Sequence, residues 1–97
     1  MILQIPLSEM PNQLVAVDLE EKHCVLELIT RNGKMYANKI AIDDNVMARG
    51  IACLNRNNLL SFFNSGLGGK LYFFDTKGSK PPKYYGLNSR WLLIYED

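Results

Sequence analysis

The sequence predicts an all-β fold: a small closed or partly open antiparallel β-barrel of six or seven short strands, with a long loop before the last of them. Three observations lead there. Runs rich in Val, Ile, Leu, Tyr and Phe recur along the chain, turn-forming residues separate them at roughly ten-residue spacing, and no stretch holds a helical period beyond a turn or two.

In chain order, NQLVAVDLE (Asn12 to Glu20) places Val15, Val17 and Leu19 on one face and Leu14, Ala16 and Asp18 on the other, as a strand does. Glu20-Glu21-Lys22-His23 is polar enough to turn the chain into a second strand, CVLELIT (Cys24 to Thr30). Arg31-Asn32-Gly33 signals a tight hairpin, because Asn and Gly accept the positive φ angles that such turns demand. KMYANKIAI (Lys34 to Ile42) returns, Asp43-Asp44-Asn45 turns again, and VMARGIACL (Val46 to Leu54) follows with Gly50 as a bulge or a point of close approach. Asn57 to Asn64 reads as a short strand or a single helical turn, and Gly66, Gly68 and Gly69 reset the chain. LYFFDT and WLLIYED complete the pattern. CVLELIT, LYFFDT and WLLIY are apolar on both faces, so loops or another chain must cover some of that surface.

A chain of 97 residues is sized for a single β-barrel domain over residues 1–97, and its 47% apolar and 22% charged content is that of an ordered globular protein. The formal charge of +1, from 11 basic and 10 acidic residues, supplies no global attraction for nucleic acid or anionic membrane. MILQIPLSEMPNQ lacks a basic start and breaks at Pro6, so no export signal is expected. No apolar run approaches the ~20 residues of a membrane span, so a soluble chain with no membrane partner is expected. Cys24 and Cys53 lie inside apolar runs and read as buried free thiols, suited to a reducing compartment.

The inventory excludes most enzyme classes. His23 is the one histidine and lies beside Glu20-Glu21, where a solvated turn role suffices, and no second His exists for a metal centre or relay. Gly66-Leu67-Gly68-Gly69 precedes a strand rather than the helix N-terminus that would hold a phosphate. The adjacent pairs Asp43-Asp44 and Glu20-Glu21 point to opposite sides of an extended chain, and Ser61, Ser65, Ser89, Cys24 and Cys53 have no evident base. No catalytic residue, metal site, cofactor or small-molecule substrate is expected.

The stretch that stands out is the loop between the last two strands, which holds Lys77, Lys80, Pro81, Pro82, Lys83, Tyr84, Tyr85 and Arg90. Long connections in small domains are commonly functional, and these residues are the candidate partner-binding site. In one reading Tyr84 and Tyr85 anchor a protein partner, the lysines steer docking and Pro81-Pro82 stiffens the loop. In the other it is a wide turn, with a tyrosine folded back over the barrel end and Arg90 capping loop carbonyls. A small β-barrel with lysines and aromatics is also how single-strand nucleic-acid binders are built, which makes a nucleic-acid-binding or general adaptor module the alternative function. The near-neutral charge and the lack of an RNP-like motif or zinc knuckle weigh against nucleic acid.

The blocks Ile5 to Leu7 (IPL), Pro11 to Gln13 (PNQ), Arg31 to Tyr36 (RNGKMY), Gly50 to Arg56 (GIACLNR), Lys70 to Gly78 (KLYFFDTKG) and Pro82 to Tyr95 (PKYYGLNSRWLLIY) together resemble the phage baseplate plug family of contractile-tailed phages, cyanophages included. Asn88 departs from the glycine expected in a G-L-G-S-R run, although Asn tolerates left-handed backbone. The resemblance implies a structural protein of the virion tail baseplate. It would be made in the host cytoplasm and seated against hub, spike, tube or tape-measure proteins, in several copies if it follows the tail's symmetry.

Overall fold

The computed structural model describes residues 1–97. It contains seven strands: β1 (Ile2–Ile5), β2 (Gln13–Leu19), β3 (Lys22–Arg31), β4 (Lys34–Ile42), β5 (Asn45–Ala52), β6 (Lys70–Asp75) and β7 (Trp91–Glu96). All pairings between them are antiparallel. The all-β expectation therefore holds, and the long loop before the last strand is present.

The meander is built as the turn residues dictate. Leu19 pairs with Lys22, Arg31 with Lys34 and Ile42 with Asn45, so each hairpin closes over two residues. Both central residues have positive φ in every case: Glu20 (49°) and Glu21 (67°), Asn32 (54°) and Gly33 (74°), Asp43 (49°) and Asp44 (67°). These angles match the twist of the flanking strands, but a non-glycine residue held there costs about 1–2 kcal/mol. Two of the strained acids recover part of that cost through their side chains. The Asp43 carboxylate accepts the His23 N–H at 2.9 Å, and that of Glu20 accepts the Gly68 N–H at 3.0 Å and the Tyr95 hydroxyl. Glu21 makes neither kind of contact.

Alternation then sorts the faces. On β2, Val15 and Leu19 are buried while Leu14, Ala16 and Asp18 are exposed, and on β3 Cys24, Leu26 and Leu28 point inward. From the other sheet come Leu71 and Phe73 on β6 and Trp91, Leu93 and Tyr95 on β7, all part of one core of 20 buried residues. Each such side chain contributes roughly 1.5–3 kcal/mol relative to exposure. Gly50 has φ 68° with open space where a Cβ would sit, so backbone conformation rather than close approach calls for glycine there.

The barrel is the part of the expectation that needs correcting. The strands divide into a four-stranded sheet, β2-β3-β4-β5, and a three-stranded sheet, β1-β7-β6, and neither closes. On one side the irregular connection 53–69 takes the β6 edge that a closed ring would offer to β5: Arg56 N–H donates to the Phe73 carbonyl at 2.7 Å and Leu59 N–H to that of Leu71 at 2.7 Å. Of the strand or single helical turn expected within Asn57 to Asn64, no strand forms; the chain makes one hydrogen-bonded turn, with the Ser61 N–H donating to the Asn58 carbonyl at 3.2 Å, while the Asn58 carboxamide oxygen accepts the Leu60 and Leu71 amides. On the other side Pro6 and Pro11, which lack N–H donors, break the chain between β1 and β2. β1 itself was not anticipated, since four residues before a proline carry too little pattern to read.

Candidate partner-binding loop

The loop is organised from Asp75, the last residue of β6. Strand alternation sends it inward after Leu71 and Phe73, and it is the buried charged side chain of the core at 2% exposure. Arg90 meets it as a two-pronged fork, Nε to Oδ1 at 2.8 Å and Nη2 to Oδ2 at 2.9 Å. The same oxygens accept the backbone N–H groups of Lys77 and Lys80, each at 2.9 Å. Four donors thus occupy the carboxylate's roughly four lone-pair sites. The hydrogen bonds from Arg90 hold the Asp75 carboxyl well below the usual carboxylate range, against the burial that would raise it, and the loop amides add to the lowering.

Around this pair the backbone is tied down. Thr76 donates its N–H at 2.9 Å and its hydroxyl at 2.8 Å to the Arg90 carbonyl, and the Trp91 indole N–H donates to the Lys80 carbonyl at 3.0 Å. The Arg90 guanidinium lies 4.4 Å from the Trp91 ring centroid. A 3₁₀ turn, Tyr84–Gly86, passes over that indole so closely that a Cβ on Gly86 would fall 2.4 Å from a ring carbon. Asn88 then turns the chain at φ 70°. Its side-chain oxygen accepts the Leu7 N–H at 3.0 Å while its amide donates to the Leu7 carbonyl, so one side chain clamps the segment after β1 to the loop.

This geometry separates the predicted site residues into two groups. Pro82 is buried, Tyr84 is half-buried against the core, Lys83 donates its ammonium to the Gly33 carbonyl at 2.7 Å, and Arg90 is committed to Asp75. Lys77, Lys80 and Pro81 face outward, as does Tyr85 at 65% exposure. The Tyr85 ring is braced edge-on by Tyr84 at 5.7 Å and Trp91 at 6.3 Å. Carbonyl capping is done by Trp91 rather than by Arg90, which takes the carboxylate. Sequence reading missed Asp75, although an acid at an inward position of LYFFD followed by a turn-forming stretch was a usable signal. It also missed the Leu7 clamp, because the partners stand 81 residues apart.

Nothing in this arrangement pairs a nucleophile with a base. It leaves Tyr85 exposed against the Tyr84 and Trp91 rings, with Lys77 and Lys80 exposed on the same loop. A match to the protein family described as "Cyanophage baseplate Pam3 plug gp18" spans residues 2–97. The chain belongs to this family. Baseplate plugs are structural proteins of the phage tail, which places the chain among viral structural proteins of the virion tail baseplate that interact with other baseplate proteins. No curated protein matches it. The plug family spans the loop and both sheets alike, so the Asp75 to Arg90 frame lies within what the match covers.

Proposed function

We propose that the chain acts without catalysis, cofactor or small-molecule substrate. It seats against hub, spike, tube or tape-measure proteins during assembly in the host cytoplasm, with the Lys77 to Arg90 loop supplying part of the contact. The observation that carries the reading is Tyr85: a large side chain 65% exposed, yet braced edge-on by the Tyr84 and Trp91 rings. A rigid aromatic loses little entropy on docking, and such residues dominate binding energies. Lys77 and Lys80 lie at the rim, where charges act on encounter rate and choice of partner more than on affinity.

A second reading draws on the outer face of the small sheet. There Lys70, Tyr72 and Phe74 share one side of β6, and the Arg56 guanidinium lies 4.8 Å from the Phe74 ring centroid, a combination able to stack bases and hold phosphates. One experiment separates the two. Tagged protein is incubated with the other virion proteins and, in parallel, with a labelled single-stranded oligonucleotide. Retention of tail proteins by the parent chain, reduced by Tyr85→Ala, supports the plug reading. Salt-sensitive oligonucleotide binding with no tail protein retained overturns it.

A further inference from the structure

A net charge near zero conceals how the charges are placed. The turns at 20–21 and 43–44 close the β2–β3 and β4–β5 hairpins at the same end of the large sheet, where Lys22 meets Asp43 at 4.0 Å. The Tyr95 hydroxyl donates to Glu20, which brings the last residues, Glu96 and Asp97, to that end as well. Of the ten acidic side chains, all but Glu9, Glu27 and Asp75 therefore gather there, against Lys22, Lys70 and the N-terminal ammonium. The β3–β4 turn lies at the other end, and ten residues of β3 at about 3.3 Å each put ~30 Å between the two. Arg31 and Lys34 flank that turn, the Lys83 ammonium donates to the Gly33 carbonyl at 2.7 Å, and Lys77 and Lys80 stand on the same loop as Lys83. Arg90 is neutralised by Asp75. Glu9, on the segment that Thr30 and Asn88 tie to this end, is the one other carboxylate here. A chain of charge +1 is thus acidic at one end and basic at the other.

At the acidic end Glu21 and Asp44 are each the second residue of a hairpin turn, exposed, and without a hydrogen bond or ion pair inside the chain. At the basic tip Arg31 and Lys34 are exposed and likewise take part in no ion pair. Two free anions at one tip match two free cations at the other, and every copy carries both. An outside partner of one charge would satisfy one end alone, whereas a second copy satisfies either. Contact between like ends is repelled, which fixes the orientation. We propose that copies of this chain associate head to tail, with Glu21 and Asp44 of one set against Arg31 and Lys34 of the next. Such a contact is heterologous: it leaves one free acidic end and one free basic end, and so repeats into a ring or a filament rather than stopping at a pair. It does not call on Tyr85, and it holds whichever tail protein that residue meets.

Sedimentation velocity of the intact chain at about 0.01 M ionic strength, where the Debye length is about 30 Å, reads the association directly. The sedimentation coefficient should rise with concentration past that of a dimer, and the rise should vanish at about 0.5 M salt. Charge reversal then tests the residues. The Glu21→Lys, Asp44→Lys chain has two basic ends and the Arg31→Glu, Lys34→Glu chain two acidic ones. Each alone should associate roughly ten-fold more weakly than the parent, and an equimolar mixture should recover the parent's affinity, because it restores the pairing of Arg31 and Lys34 with Glu21 and Asp44. All four positions are exposed, so both chains should melt as the parent does, and the parent's own salt dependence tests the proposal without them. A parent chain that stays monomeric at millimolar concentration, a species that stops at a dimer, a reversed chain that associates as well as the parent, or a mixture no tighter than its components would overturn the assignment.

Discussion

Replacing Asn88 tests whether the clamp between the loop and the segment after β1 contributes to stability, and two substitutions divide its effect. The side chain makes two hydrogen bonds to the Leu7 backbone at an exposed position, each expected to contribute about 0.5–1 kcal/mol net. Asn88→Gly removes both and accommodates φ 70° without strain, but it loosens the unfolded chain, so a net loss of about 1–2 kcal/mol is expected. Asn88→Ala removes the same bonds and adds roughly 1 kcal/mol for holding a Cβ in left-handed backbone, giving about 2–3 kcal/mol. For a chain of this size each kcal/mol lowers Tm by about 4–8 °C. Equilibrium urea unfolding of the three proteins, with unchanged m-values, measures both differences. If Asn88→Gly were as stable as the parent, the clamp would contribute nothing and the asparagine would be a mere substitute for glycine. If the Ala and Gly variants were equally unstable, the backbone argument would fail.

Other outcomes follow from single groups. The folded Asp75 carboxyl titrates below its unfolded value of about 3.9, so its contribution is fully present above that pH and is lost as pH falls toward the folded value. Loop amides of Lys77 and Lys80 should therefore keep full protection from hydrogen exchange down to about pH 4 and lose it progressively as pH falls from there toward the folded value, and loss at pH 6 would contradict the assignment. Burial pushes the Cys53 thiol up to about 12 and raises Cys24 as well. Both should resist a thiol reagent at pH 8 until denaturant is added, and because the unfolded thiols ionise near pH 8.5, stability should fall as pH rises above that value. Glu21→Gly relieves a residue at φ 67° whose side chain holds nothing, and should raise stability by about 0.5–1 kcal/mol in thermal melts. Glu20→Gly, which also deletes the contacts to Gly68 and Tyr95, should lower it.

Much of the local structure was legible because it is written at short range. The three hairpin turns and the two faces of β2 follow from two-residue periodicity and from turn residues acting on their neighbours, whereas Gly50, read as a bulge or close approach, proved to be a positive-φ position with open space around it. The plug family too was readable from blocks in their order. Site residues were less so. Lys83, Tyr84 and Arg90 looked as available as Lys77 and Tyr85, and only their contacts separate those used inside the fold from those left outside.

Composition, alternation and turn chemistry thus determined by themselves that this chain is a β-meander followed by two further strands and a long basic, aromatic loop. Whether the strands would close into a barrel was decided by tertiary structure, because the competitor for the β6 edge was an irregular segment whose Asn58 and Arg56 bonds have no periodic signature. The shape of the loop was decided there as well. A buried carboxylate must gather donors wherever the fold brings them, and Asp75 found its own in Lys77, Lys80 and Arg90, leaving Tyr85 braced and exposed above them.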